Sequence, residues 1–491
     1  MILLLLSPLH SGSSSPPRKS MDFSSILRFL LSTLAKSLTG GFLLQQPVDV
    51  AYDAPLPIEQ DITVILGAGV IGLSTAYYLA LSLKENSTSS LSSRRNVVVV
   101  EPSHDICPGA SGGATGGLGD FGFSDAVSPL GELSYGLHKE LASTYQGRKN
   151  WGFRDQNVFR VTPKNFTGDL LPPDSWAPAP PVETDLSSLP DWIKSSDHWS
   201  VQLLAPVPHS SHIDPARFCQ FLYKQCKDLG VQFRFNSTVT SVQQADNTES
   251  FRSVTIESST PTQTTEIIPC NALVIAGGPW SSNIFSTLFP EATVQLRVNT
   301  TWSAGNHVRV RNPRLEIPDE YANSTQVFLN NVLSDSDTMD ITSFLDGSLY
   351  LGGWGAIPEI LPEFADKVKP QQSEIDSLLK VARQYLSLGP DEALEAFDTG
   401  RCYRPRAVPN RPIVTKVKWS LLGYLSDSQR TASSCSTDRV GHKPAVVGGL
   451  YINTGHNSDG MTLGPGSGKV MSELLLGRTP SVPVPALDIE S

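Results

Sequence analysis

No apolar run in this sequence approaches the roughly 20 residues that a membrane-spanning helix requires, so no transmembrane segment is expected. Cysteine is scarce. The six residues, Cys107, Cys219, Cys226, Cys270, Cys402 and Cys435, include no Cys-x-x-Cys pair and none stands with His at zinc spacing. That excludes a Cys/His zinc module and gives no disulfide framework to so long a chain, so they read as free thiols. Long basic runs are missing too: the net charge is −10, and a nucleic-acid partner has no electrostatic footprint. Acidic residues are nearly absent from the first 47 positions, where Asp22 stands alone. There Phe23, Ile26, Leu27, Leu30, Leu31, Leu34 and Leu38 recur at helical spacing after a Ser/Pro stretch, 11–17. Such a basic, serine-rich amphipathic helix fits three readings: a mitochondrial transit peptide, a helix lying on a membrane surface, or one packed on its own domain. Asn-x-Ser/Thr sites at Asn86, Asn165, Asn236, Asn299 and Asn323 leave secretion open. The location expected is therefore cytoplasmic, mitochondrial or secreted, with no peroxisomal signal at the C-terminus.

What is present begins after Asp61. At 491 residues the chain exceeds a single core, and its 39% hydrophobic content suits a globular protein of two domains. Ile62-Thr-Val-Ile-Leu66 predicts a buried strand; it runs directly into Gly67-Ala-Gly69-Val70-Ile71-Gly72 and then into a helical pattern over 73–83. Gly67 permits the tight turn, Gly69 lets the backbone approach a pyrophosphate, and Gly72 lets the helix pack close to the strand. Val70 and Ile71 open the helix, whose positive end faces the phosphates. A second strand, 96–100, ends on Glu101, a carboxylate placed to accept from a ribose diol. Pro102-Ser-His104 follows without the arginine that a 2′-phosphate wants, which disfavours NADP.

Three later segments favour FAD over NAD. Gly109-Ala110-Ser111 opens a glycine-rich loop suited to backbone approach to a cofactor. The run 272–281 contains a third buried strand and the tight turn Gly277-Gly-Pro-Trp280-Ser281. Near the C-terminus, 449–468 reads again as strand, turn and helix start, a closing segment for which a single NAD domain has no need. With these motifs in order, the chain resembles the D-amino-acid oxidase/glycine oxidase superfamily of FAD-dependent oxidoreductases over about 62–476. The resemblance implies an α/β Rossmann-type FAD-binding domain interleaved with an antiparallel-sheet α+β substrate domain. The FAD-binding segments are expected at 60–150, 205–290 and 395–480, and the substrate segments at 151–204 and 291–394. An N-terminal extension, 1–59, and a tail, 481–491, flank them.

The resemblance also assigns roles. Ala110, Ser111, Gly277, Trp280, His456, Gly460, Met461 and Thr462 are expected at the cofactor, with Thr462 bonding the flavin ring and His456 part of the turn. In Arg401-Cys402-Tyr-Arg404-Pro405, Arg404 is implied to hold a substrate carboxylate, a task that suits a guanidinium fork. A structural arginine is the alternative, because Arg401, Arg406 and Arg411 crowd the same stretch. Cys402 matches the position at which the monomeric sarcosine oxidase and fructosyl-amine oxidase branch bonds covalently to flavin. That branch carries a lysine where this chain has Thr462, and a buried thiol is the other reading of Cys402. The implied reaction is hydride transfer from an amino acid or related small amine to flavin N5, giving an imine, with oxygen or another acceptor reoxidising the flavin. Alternatives are a covalent-flavin oxidase of N-methyl or N-glycated amino acids, and a non-catalytic FAD-binding interaction protein, for which Asn457-Ser-Asp459 leaves room. Tyr350 and Trp354 are candidates for the substrate pocket or the sheet core. The Pro-rich patch 171–181 and the polar stretch 420–445 read as loops.

Overall fold

The computed structural model describes residues 62–85, 96–246, 248–259, 263–299, 304–314, 322–330, 338–353, 359–424 and 446–490. The expected N-terminal helix, Asn86, Trp354, Cys435 and most of the polar stretch 420–445 lie outside the described residues.

The β-branched runs that the sequence offers as buried strands assemble into one six-stranded sheet. Its order is Ile413–Lys416, Gly449–Thr454, Ala272–Ile275, Ile62–Leu66, Asn96–Val100, Gln232–Arg234. All neighbours are parallel except the edge pair Ile413–Lys416 with Gly449–Thr454. A parallel sheet covered on both faces needs near-continuous apolar strands, and the strands Ala272–Ile275, Ile62–Leu66 and Asn96–Val100 have them. Ile65, Val97, Val99, Val274 and Tyr451 point to one face, beneath helices Val70–Glu85, Pro215–Asp228 and Gly460–Leu475. Val64, Val98, Leu273, Ile275 and Ile452 point to the other, against the three-stranded sheet Ser237–Gln244, Phe251–Ser258 and Thr265–Pro269. The chain leaves Leu66 and turns at Gly67, whose φ is +111°, and a side chain at Gly72 would overlap the Gly67 carbonyl oxygen. The first and third strands lie side by side with crossovers leaving in opposite directions, and a crevice opens beyond their carboxyl ends.

A nine-stranded sheet stands beside it. Its path is Ala396–Tyr403, Ala304–Arg311, Ser348–Gly353, Thr338–Ser343, Ser324–Asn330, Arg154–Pro163, Trp199–His212, Gly117–Gly119, with Val182–Thr184 paired to Trp199–His212. An antiparallel sheet was expected, but Ser324–Asn330 pairs with Arg154–Pro163 in parallel. These strands come from different excursions of the chain and meet edge to edge, so no hairpin dictates their relative direction. By hydrogen bonding, Gly117–Gly119 and Ala396–Tyr403, from segments expected to build the nucleotide-binding domain, belong to this larger sheet.

The strands mostly alternate, with bulges between Gln156 and Phe159 and at Arg309–Val310. Val161, Val308, Val327, Leu329, Ile341, Leu349 and Leu351 face a core closed by helix Gln372–Tyr385, whose Ile375, Leu378, Val381 and Ala382 form its buried stripe. Residues of the opposite parity face the other lobe. The Pro-rich patch is a loop with one short 3₁₀ turn, Asp174–Trp176. Buried Arg160 bonds the Pro172 carbonyl (2.6 Å) and Asp174 (2.5 Å), while Asn330 accepts from Leu171 N (2.8 Å) and donates to its carbonyl (2.9 Å).

Helix Gly460–Leu475 can approach its neighbours only because its contact positions are small. A Cβ on Gly468 would lie 2.5 Å from the Ser74 carbonyl carbon, and one on Gly466 would lie 2.7 Å from the Ser134 Cβ. Gly468→Val is expected to overpack this contact and cost about 1–3 kcal/mol, read as a lowered denaturation midpoint in urea.

Candidate functional site

One cavity of about 1040 Å³ runs between the two sheets. Its walls hold Gly67, Gly69, Val70, Ile71 and Glu101 from the first βαβ unit, and Ala110 and Ser111 from the following loop. Gly277 and Trp280 enter from the third strand's turn, and His456, Gly460, Met461 and Thr462 from the closing segment. Cys402 and Arg404 enter from the larger sheet. Of the described candidates read from sequence, Gly72 alone is not in the wall; it sits beneath the turn, which is where close helix packing requires it.

Each part of the wall is held by identifiable bonds. The Glu101 carboxylate accepts from Ala68 N (2.9 Å) and Ser103 N (3.0 Å), which fixes it across the end of the first strand. Burial pushes this carboxyl above its usual range, against those two bonds. The Ser111 hydroxyl accepts from Val70 N (3.1 Å), so the second loop closes on the first helix start. At the third turn, Thr454 donates to the Gly278 carbonyl (3.2 Å) and accepts from Ser281 (2.8 Å), while Trp280 is pinned by its indole N–H to Pro362 O (2.7 Å).

The closing helix brings its first turn to the cavity. Ser134 donates to the Thr462 carbonyl (2.6 Å), and Thr462 Oγ1 donates to Gly117 O (3.4 Å). His456 is buried and hydrogen-bonded to Ser467 (2.8 Å), and burial lowers its pKa to about 3. It is therefore neutral and anchored within the turn. Asp459 precedes the helix, and burial lifts its carboxyl to about 6 in spite of a bond from Ser458.

Two of the four crowded arginines are distinguished by their partners. Arg401 is buried in an ion-pair cluster with Glu359 and Glu374 (2.9 Å to the latter). Burial would raise Glu359, but the Tyr403 hydroxyl and Arg401 hold it below the usual carboxylate range. Arg406 bonds Asn457 (3.2 Å). Among the described residues Arg404 is the one arginine in the cavity wall.

Of the polar face of the larger sheet, the sequence offered Tyr350 and missed Gln156, Gln326 and Asp340. These four come from four different strands and line the cavity together. Gln326 (3.1 Å) and Thr115 (3.2 Å) donate to Asp340 Oδ2; Tyr350 donates to Gly113 O (2.9 Å) and stacks on His307 at 5.1 Å between centroids. The alternating polar positions were the only signal, and strand register decides whether they meet.

A family model described as "FAD dependent oxidoreductase" matches residues 63–474. A Schizosaccharomyces pombe protein named "Putative oxidoreductase" is 23% identical over 446 residues, which cover 87% of this chain and 97% of its own. Glycine oxidase from Geobacillus kaustophilus has the same fold, with a TM-score of 0.60 at 17% identity, over 88% of this chain and 98% of that one. L-proline dehydrogenase from P. horikoshii gives a TM-score of 0.61 at 14% identity, covering 88% and 98%. The residues present fit FAD. A glycine-bounded cradle with a fixed carboxylate stands at the head of the parallel sheet, and the same cavity continues to a helix start with free N–H groups.

Asp459 gives this site a pH signature. The native state keeps a proton that the unfolded chain releases near pH 4, so stability falls as pH rises from about 4 to about 6 and stays lower above. Asp459→Asn removes that loss. Its melting temperature is expected to match the parent's near pH 4 and to exceed it from pH 7 upward.

Proposed function

We propose that this chain, which belongs to the FAD dependent oxidoreductase family and has FAD as its cofactor, oxidises the carbon–nitrogen bond of an amino acid or a closely related small amine. The observation that carries the reading is that Arg404 opens into the same cavity as the dinucleotide cradle and the start of helix Gly460–Leu475. FAD supplies the hydride acceptor, and the amine is left as an imine for water to hydrolyse.

The protein's own part is positioning and electrostatics. The Arg404 guanidinium is suited to a carboxylate, in bidentate, charge-assisted bonds that fix the substrate's orientation. Tyr350, held by Gly113, closes part of the cavity wall and helps to shield the substrate from water. Main-chain N–H groups of Gly460, Met461 and Thr462, unpaired within the helix, stabilise negative charge that develops nearby. Among the described residues His456 is the histidine in the wall, and it is a weak base, since burial lowers its pKa to about 3 and its ring is engaged by Ser467. The nitrogen must arrive neutral, so turnover is expected to rise with pH as the substrate amine loses its proton.

Two measurements test the reading. Anaerobic addition of an amino-acid and amine panel to the yellow holoprotein is expected to bleach the flavin with at least one carboxylate-bearing amine. Arg404→Met is expected to raise the half-saturating concentration of that compound about 100-fold; an unchanged value removes Arg404 from the site. Cys402 lies buried in the cavity wall as a thiol. With Thr462 in place of the lysine of the covalent-flavin branch, acid precipitation is expected to leave the flavin in the supernatant. A yellow pellet that turns colourless in Cys402→Ser restores the covalent reading.

A further inference from the structure

We propose that the substrate carries a second, cationic nitrogen, and that Asp340 receives it beside an aromatic wall formed by Phe121, Trp176 and Phe328. The inference rests on the amine-oxidation reading above and narrows its substrate class to amino acids with a basic or N-alkylated side chain.

The register of the larger sheet creates the site. Asp340 and Phe328 are directly paired across two antiparallel strands, so their side chains leave the same face, and both line the cavity. Phe328 packs against Trp176 (5.7 Å between centroids, 76°), and Trp176 against Phe121 (5.1 Å, 89°). The Pro-rich loop that delivers Trp176 is held by Arg160 and Asn330, so this wall is preformed.

A carboxylate set among aromatic faces is a recognisable device for an organic cation, because the negative ring faces add to the charge without donating hydrogen bonds. Asp340 has the connections such a role needs. Its side-chain donors, Thr115 and Gln326, both bind Oδ2, and Oδ1 lies over Gly352, where any side chain would cover it. The field of Arg404 reaches it, without a direct bond between the two. Burial pushes the Asp340 carboxyl up, as expected of an acid whose counter-charge is brought by a ligand. The reacting nitrogen itself does not belong there. An ionised carboxylate favours ammonium, whereas hydride loss requires the free amine, so Asp340 takes a different nitrogen of the same molecule. Arg404 and Asp340 thus supply opposite poles for a substrate with a carboxylate and a distal positive charge.

The holoprotein is titrated anaerobically with both enantiomers of lysine, arginine and N-trimethyl-lysine, and with norleucine and glutamate as neutral and acidic counterparts. Binding is read from the perturbation of the flavin absorbance, and reduction separately from bleaching. The basic compounds are expected to bind about tenfold or more tightly than norleucine. Asp340→Asn and, as an independent variant, Trp176→Leu are each expected to collapse that ratio. The proposal is overturned if norleucine or glutamate binds as well as the basic set, or if the preference survives in whichever variants fold. Equal binding of norleucine and lysine, with bleaching by both, sinks the cation site and leaves amine oxidation standing. Preferential binding of basic compounds without any bleaching leaves the cation site standing and sinks amine oxidation.

Discussion

The close approach of one helix to two others governs the rest of the molecule. Helix Gly460–Leu475 touches Val70–Glu85 and Ser128–Thr144 at positions where Gly464, Gly466 and Gly468 replace side chains, and Ser134 bonds both Thr462 O and Gly466 N. Dense packing turns such contacts into a fixed spacing, since neither helix can yield without opening a void. That spacing brings the beginnings of two helices, Val70 and Gly460, to one cavity, although nearly the whole chain separates them in sequence. Two helix starts opening on one cavity give it positive poles suited to anionic groups.

The larger sheet shows how one element serves two purposes. Its apolar parity builds a core with helix Gln372–Tyr385, and its polar parity furnishes the cavity. The strand Ala396–Tyr403 adds a second separation along its length. Arg401 is consumed by Glu359 and Glu374 and anchors the strand, which frees the chain to present Arg404 at its end. A buried cation with two acidic partners is expensive to assemble and costly to break, so it fixes position more than it adds stability.

The nucleotide-binding half was legible because its signals are local. Strand, glycine turn and helix follow one another between Ile62 and Glu85, and Glu101 falls at the end of the next strand, so spacing alone carried the inference. The order of the closing strand and helix was readable for the same reason. Asp340, Gln156 and Gln326 were not, since Gln156 joins the other two only through a parallel pairing between strands distant in the chain, and Asp340 and Gln326 carry no motif of their own. The arginines around Arg404 looked equivalent in sequence. They differ in their partners, and Glu359 and Glu374 come from a segment with no local mark of that role. The Pro-rich patch was correctly seen as a loop, but nothing local announced that Arg160 and Asn330 would bind it down and carry Trp176 to the cavity.

That loop divides the labour of inheritance as well as of structure. Its anchors lie in strands Arg154–Pro163 and Ser324–Asn330, whose apolar parity is committed to the core, whereas the loop itself adds Leu171, Pro172, Pro173 and Trp176 to the cavity wall. Residues there can be exchanged, lengthened or shortened without disturbing the strand register or the cradle at Gly67. A descendant of this chain could therefore change its diet by rewriting a dozen loop positions while keeping its redox apparatus untouched. Relatives that share the fold at low identity would be expected to diverge first at this seam.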